Sequence, residues 1–480
     1  MMYRIVLGLS LNVVALLSAL SPLHGQDQPK KQTLEGIWMG PIKAGAKDVR
    51  MAFIVTAKDG KLVATMDSVD QGAKGIPVAE VVFKDGVVKF DIAIAKVVFE
   101  GKLNKEATEI VGEWKQGGAG FPMTLKRVDE LPVVSRPQDP KRPYPYREEE
   151  VVYENKKDNV KLAGTLTLPK SGGPFPAVLL ITGSGPQNRD SEIKGHKTFL
   201  VIADYLTRRG IAVLRVDDRG VGGSTGKIDT STTADFAGDV LTGIDFLKAH
   251  KEIDAKRIGL IGHSEGGIIA PMVAAQSKDV AFIVMLAGTG LPGGDILMLQ
   301  TKLIMKSLGA PQEEIDVHTK LQAMVYGVIN KETDLEVAKK LIVEKFADMK
   351  AKASPEDKKR LEMRETTDLK FMLKDLDSKW LRYFISNDPR PSLRKVQCPV
   401  LALNGSKDQQ VPPTENLTEI AKALKEGGNK DVTTKEMADL NHLFQTCKTG
   451  SIVEYGLIDE TIAPAVLEMM GEWILGRVKK

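Results

Sequence analysis

The sequence predicts an α/β protein. Its main body is a mostly parallel sheet with helices on both faces and a helical insertion, preceded by a separate small all-β domain. Three observations carry this. From residue 149 onward, short apolar runs alternate with longer stretches at helical spacing, the pattern of parallel strands joined by helices. Residues 33–128 hold only short, partly alternating runs. Between the two regions lies "DELPVVSRPQDPKRPYPYREEE", with five prolines from Pro132 to Pro145, so residues 129–148 read as an extended linker.

A chain of 480 residues is long enough for two or three domains. Its 42% hydrophobic and 27% charged residues describe an ordinary globular protein with real cores. The net charge of +4, from 67 basic and 63 acidic residues, is too even for a nucleic-acid or anionic-membrane partner. Arg4 followed by the apolar run "IVLGLSLNVVALLSAL" and the polar "SPLHGQDQPKK" gives residues 1–25 the layout of a secretory signal peptide. That reading implies export to the periplasm or beyond, with no stable membrane anchor after cleavage near Gly25. Cys398 and Cys447 are isolated, without a C-x-x-C motif, and read as two buried thiols rather than a disulfide framework.

In the all-β domain, "MAFIVTA" (51–57), "KLVATMDS" (61–68), "VAEVVFK" (78–84), "VVKFDIAI" (87–94) and "KVVFEGKL" (96–103) are the expected strands. Asp59-Gly60 and Asp85-Gly86 mark hairpin turns, because both central positions of that turn need positive φ. Trp38 and Trp114, near the two ends, fit either two strands meeting to shut a small barrel or sandwich, or two unrelated core residues.

Residues 149–480 begin with strands at 149–155 and 160–168, then a buried strand at 177–182 and a helix near 195–209. The alternation continues with a strand at 211–216, a helix at 232–250, a strand at 257–261, the helix "EGGIIAPMVAAQ" and a strand at 281–287. After an interruption come a strand at 399–404, a helix at 413–426, a strand at 431–437 and a helix at 460–478. The interruption, 289–392, reads as a helical cap inserted between two sheet strands. In it Ser354 is an N-cap with Pro355 at the first helical position.

The pattern G-x-S-x-G occurs twice, around Ser264 and around Ser224. It can place a serine nucleophile on a sharp turn between a strand and a helix. Only Ser264 has an apolar strand directly before it and an apolar helix directly after it; Ser224 lies in a glycine-rich loop. A serine needs a base. Of six histidines, His24 is in the signal peptide, His250 is at the far edge of the sheet, and His318 is in the cap. His263 adjoins Ser264 and projects away from it. His196 is a runner-up, and His442, just past the last strand, is the expected base. Asp408, in the loop after the 399–404 strand, is the expected orienting acid; Asp439 is its rival, on too short a tether. Oxyanion donors are expected from the backbone of Glu265 and of the loop after 177–182, with Ser184 favoured and Gly185 next. Gly288 to Gly293 fits G-x-G-x-x-G but holds Pro292 and lacks the acid-ended second strand of a nucleotide site, so it reads as the loop leading into the cap. No metal-ligand motif and no cofactor motif stands out.

With "TGSGPQNRD", "VDDRGVGGSTG", "GHSEGG", "NGSKDQQVPP" and "NHLFQ" in this order, residues 149–480 resemble the α/β-hydrolase family, and more narrowly exported bacterial carboxylesterases with a small β-domain in front. The β-domain likeness rests on "GIWMG" and "GEWKQGG" and implies no chemistry. The resemblance implies an α/β-hydrolase fold, and it places Arg219 and Ser224 in a structural loop near the site. The His-Gly usual before the oxyanion residue is Thr182-Gly183 here. The expected activity is cofactor-free hydrolysis of a small-molecule carboxylic ester, of short or medium acyl chain, by Ser264, His442 and Asp408. A serine peptidase or aminopeptidase on the same fold is the alternative, and a non-catalytic binding protein the third reading.

Overall fold

In the computed structural model the described residues are 33–44, 47–132 and 136–479. The expected signal peptide, 1–25, lies outside them. The chain divides into two compact units: Met1–Gly40, Phe53–Thr65 and Pro77–Asp129, and Pro41–Ala52, Met66–Ile76 and Glu130–Lys480.

Strands from Gly36–Ala44 to Ala119–Val128 form a nine-stranded sheet. Asp59 and Gly60 (φ 50° and 74°) and Asp85 and Gly86 (53° and 77°) take the paired positive φ that two-residue hairpins need. Phe53 stacks on Phe90 at 4.2 Å between ring centroids, and both pack on Phe99. The first strand pairs with the last, Trp38 opposite Arg127. Trp114 lies on the far side of that last strand, opposite Phe121. The two tryptophan strands therefore do not meet; Ala119–Val128 separates them. The edge strands, Ala73–Pro77 and Glu80–Lys84, are joined through residues 78 and 79, which requires the sheet to curl.

The second sheet has eight strands. Across it run Arg147–Asn155, Val160–Leu168, Ala212–Val216, Phe175–Ile181, Ile253–His263, Phe282–Leu286, Val400–Gly405 and Val432–Met437. The first two pairings are antiparallel and the rest parallel. This is an α/β-hydrolase fold. Successive side chains of a strand point to opposite faces, so one strand feeds two cores. Leu179 and Ile181 join Ile244, Leu247, Ile269 and Val273 on one face. Val178 and Leu180 join Phe199, Ile202, Met470 and Ile474 on the other. Each such buried aliphatic side chain contributes roughly 1.5–3 kcal/mol.

Two helix starts differ from expectation. The helix expected near 195 begins at Thr198, because Glu192–Ile193 and His196–Lys197 form a small hairpin. Lys194 and Gly195 turn it with φ of 53° and 78°, values no right-handed helix passes through. The last helix begins at Pro464 rather than 460; proline lacks an N–H and is suited to the first helical position.

Between Phe282–Leu286 and Val400–Gly405 the chain is helical. Gly293–Ser307, Gln312–Ile329, Leu335–Lys352, Pro355–Arg364 and Lys379–Ser386 are its longer helices. Ser354 caps one of them by accepting from the Asp357 amide at 3.1 Å. The insertion has its own core around Leu321, Val325, Ile342 and Phe346. Among the described residues no helix is long and apolar enough to cross a membrane.

Candidate active site

The strand Ile253–His263 ends one residue before Ser264, and the helix Gly266–Ala274 starts two residues after it. Ser264 takes φ of 55°, a left-handed value that is strained for a residue with a Cβ. Its amide donates to the Leu286 carbonyl of the neighbouring strand at 2.8 Å, and its carbonyl accepts from Gly267 at 2.8 Å. The turn closes only because its flanks lack side chains. A Cβ on Gly262 would lie 1.9 Å from the Gly266 carbonyl oxygen, and one on Gly266 would lie 2.2 Å from that of Ile181.

His442 stands in the loop after Val432–Met437, buried at 4% exposure. Its Nδ1 lies 2.8 Å from Asp408 Oδ2. Paired this way, Nδ1 carries the proton and Nε2 presents its lone pair. Asp408 is itself held: Oδ1 accepts from the amides of Gln410 and Val411, both at 2.8 Å. Asn441 fastens the histidine loop, its Oδ1 accepting from the Leu443 and Gln445 amides at 3.0 Å. The structure thus draws His442 and Asp408 together. It closes no hydrogen bond from the Ser264 hydroxyl to His442 among the described residues; such bonds often tighten only when substrate binds.

On the other side of Ser264, Gly183 presses close. A Cβ there would lie 3.2 Å from the Ser264 Cβ. The next amides, of Ser184 and Gly185, and that of Glu265, donate to no acceptor among the described residues, which leaves them free for an oxyanion. The Glu265 side chain is buried, and burial raises its carboxyl pKa. Its Oε1 accepts from Thr233 Oγ1 at 2.6 Å and from Trp380 Nε1 at 2.8 Å. Asp218 is a second acid nearby, half-buried. Burial pushes it up to about 7, against the hydrogen bonds from Thr182 Oγ1 and the Gln187 amide.

Residues 158–442, which run through Ser264, Asp408 and His442, match the family described as X-Pro dipeptidyl-peptidase (S15 family). The chain belongs to the S15 family. It is 29% identical over 366 residues to esterase EstD of Thermotoga maritima, covering 75% of this chain and 74% of that protein. It is 30% identical over 121 residues to dipeptidyl-peptidase 5 of Porphyromonas gingivalis, 24% of this chain and 17% of that one. Among solved structures, an esterase of Pyrococcus furiosus aligns with a TM-score of 0.43 and 16% identity, over 73% of this chain and 98% of that one.

In this S15-family chain the rival residues are committed elsewhere. Ser224 Oγ donates to the Asp217 carbonyl at 2.7 Å and accepts from the Ala163 amide at 2.9 Å. Arg219 is ion-paired with Asp158 and Asp239. His196 has both ring nitrogens engaged, by Thr461 at 3.0 Å and the Tyr455 carbonyl at 2.9 Å, and burial pushes it down to about 4. Asp439 pairs with Lys407 at 2.8 Å. His318 pairs with Asp368 in the helical insertion at 2.8 Å. In the Gly288–Gly293 loop, a Cβ on Gly293 would lie 1.7 Å from the Phe384 carbonyl, so close packing accounts for that glycine. Cys398 and Cys447 are free thiols, the first half-buried and the second buried. Among the described residues no cluster of three or more His, Cys, Asp or Glu is placed to hold a metal.

Three features of this S15-family site go beyond the residues expected from the sequence. His263 Nε2 reaches the His442 carbonyl at 2.9 Å. The Glu265 side chain ties the turn to Trp380 of the insertion. Gly183 packs on Ser264, with its Cβ position 3.2 Å from the Ser264 Cβ. The Thr182-Gly183 pair was the available signal for the last; the first two join residues far apart in the chain and carried none.

Proposed function

We propose that the protein is a serine hydrolase of small-molecule carboxylic esters, acting through an acyl-enzyme. The strained Ser264 turn, set in one domain with a buried His442–Asp408 pair, supports this reading most directly. Ser264 Oγ attacks the ester carbonyl while His442 Nε2 takes its proton. Asp408 keeps the ring in the required tautomer and stabilises the imidazolium. The amides of Glu265 and Ser184, with Gly185 beside them, face the developing oxyanion. The alkoxy bond breaks and His442 returns the proton to the leaving alcohol. Water, deprotonated by the same histidine, then releases the acid. Similarity to an esterase across three quarters of the chain supports ester chemistry.

Membership of a family described by a dipeptidyl-peptidase favours a second reading, cleavage of a peptide bond by the same residues. Rates on p-nitrophenyl butyrate and on Ala-Pro p-nitroanilide, compared at equal enzyme, separate the two. Turnover of the ester alone supports the proposal; turnover of the anilide alone overturns it in favour of the peptidase. Export is also proposed, on the charge and apolar pattern of residues 1–25. N-terminal sequencing of the mature protein tests it: a start near Gln26 is expected, and an intact Met1 on protein outside the cytoplasm contradicts it.

A further inference from the structure

The helical insertion holds a cavity of about 510 Å³, a volume typical of small-molecule sites. Its walls come from Gly293–Ser307, from Gln312–Ile329 and from residues between 368 and 381. Leu297, Ile304, Val325, Met372 and Leu376 make much of it apolar. Phe371 lines it while 64% exposed, so that ring marks the mouth. Ser264, Asp408 and His442 are not among its walls.

The polar groups on the walls narrow what the cavity can take. Among the described residues no lysine or arginine lines it, so a carboxylate or phosphate would find no counter-ion there. Of its two acids, Asp375 is exposed and Asp368 is ion-paired with Arg364. Gln322 Nε2 donates to Thr301 Oγ1 at 3.0 Å and to Tyr326 Oη at 3.3 Å. Thr301 Oγ1 in turn donates to the Leu297 carbonyl at 2.8 Å.

His318 differs from these. Its Nδ1 lies 2.8 Å from Asp368 Oδ2. A lone pair on Nδ1 would face a carboxylate oxygen, so Nδ1 carries the proton and Nε2 keeps the lone pair. Arg364 Nη1, 3.0 Å from the same Nδ1, bonds that carboxylate. Among the described residues nothing donates to His318 Nε2, and the side chain is 17% exposed. Asp368 reaches the ring from a π-helical turn, Glu365–Leu369, a rare form that is frequent at functional sites. A placed acceptor on the wall of an apolar cavity is the kind of group that fixes a ligand's orientation.

We propose that the insertion binds a small, uncharged apolar molecule carrying a hydroxyl, which donates to His318 Nε2 while its body fills the cavity. Two sources share that chemistry: a free molecule, and the distal part of an ester held at Ser264. Gln300 links the cavity to the catalytic loops. It lines the wall, and its Nε2 donates at 3.3 Å to Gln410 Oε1, whose own amide donates to Asp408 Oδ1 at 2.8 Å.

The test compares 2-naphthol with 2-methoxynaphthalene, which keeps the ring system and lacks the donor. Dissociation constants are read from naphthalene fluorescence in the wild type, His318→Phe and Ile304→Trp. In the wild type 2-naphthol is expected to bind about fivefold more tightly, the scale of one neutral hydrogen bond. His318→Phe should erase that preference, and Ile304→Trp, which fills the cavity, should weaken both probes about tenfold or more. Equal constants for the two probes in the wild type overturn the proposal without any variant. So does a preference that survives in folded His318→Phe, or binding untouched by Ile304→Trp. Binding is read without turnover, so it is decided whether or not Ser264 hydrolyses esters. Turnover of p-nitrophenyl octanoate with 2-naphthol present then assigns the source. A rise in KM alone marks the seat of the substrate's own group; a change in kcat marks a second molecule acting through Gln300 and Gln410.

Discussion

His263 Nε2 lies 2.9 Å from the carbonyl oxygen of His442, so the residue before the proposed nucleophile grips the backbone of the proposed base. Burial, with the neighbouring His442 ring, pushes His263 down to about 3, and it stays neutral with its proton on Nε2. The contact ties the strand-to-helix turn to a loop that follows a different strand. Replacing His263 by Phe keeps a ring but removes the donor and strands a buried carbonyl, at a cost of about 1–3 kcal/mol. The expected outcome is a lower melting temperature and a fall in kcat of at least about tenfold, with KM changed less. Unchanged kcat in folded His263→Phe would show that His442 needs no such anchor.

Asp408→Asn should leave the fold intact, since an amide oxygen can still accept from the Gln410 and Val411 amides. The other end of the amide then meets His442 Nδ1 as a donor and selects the wrong tautomer. A loss of about 10³- to 10⁴-fold in kcat is expected, by analogy with other serine triads. Steady-state rates on a p-nitrophenyl ester check this. A loss under tenfold would point to another acid.

Gly266→Ala tests the turn itself. The added Cβ would lie 2.2 Å from the Ile181 carbonyl oxygen, which belongs to the sheet and cannot yield cheaply. Destabilisation of more than about 3 kcal/mol is expected, read as loss of soluble protein or a large drop in denaturation midpoint. A near-wild-type midpoint would mean the strand and helix are less closely packed than described.

Asp218 gives a pH signature. Its carboxyl is pushed from an ordinary 3.8 up to about 7 by burial. The folded state therefore holds this proton more tightly than the unfolded state does. The contribution is complete below about pH 3.8 and is lost as pH rises toward 7, because the unfolded chain ionises first. Asp218→Asn removes that loss, so its stability relative to wild type should climb between about pH 4 and 7 and then level off. Effects from His196 and His263 are common to both proteins and cancel. A difference in melting temperature that does not change with pH would contradict the raised carboxyl pKa of Asp218.

What the sequence made legible follows from the range of each interaction. The Ser264 turn was readable because its strand, glycines and helix are consecutive. Asp408 and His442 were readable because chain order and strand ends bring them to one edge of the sheet. The hairpin at 192–197 was not, since Lys194-Gly195 is a weak turn signal and the run beyond it is strongly helical. The bonds from Trp380 to Glu265 and from His263 to the His442 carbonyl span 115 and 179 residues and leave no local periodicity. Nor did the tryptophans reveal that Ala119–Val128 lies between their strands, because strand order is a property of the whole sheet.

Ser264 is the proposed nucleophile. Its most direct test is labelling with a fluorophosphonate, with the adduct mapped by peptide mass spectrometry in the wild type, Ser264→Ala and Ser224→Ala. One adduct on Ser264 is predicted, present in Ser224→Ala, absent from Ser264→Ala, and matched by loss of ester turnover in Ser264→Ala alone. Labelling and turnover that survive in Ser264→Ala would contradict it.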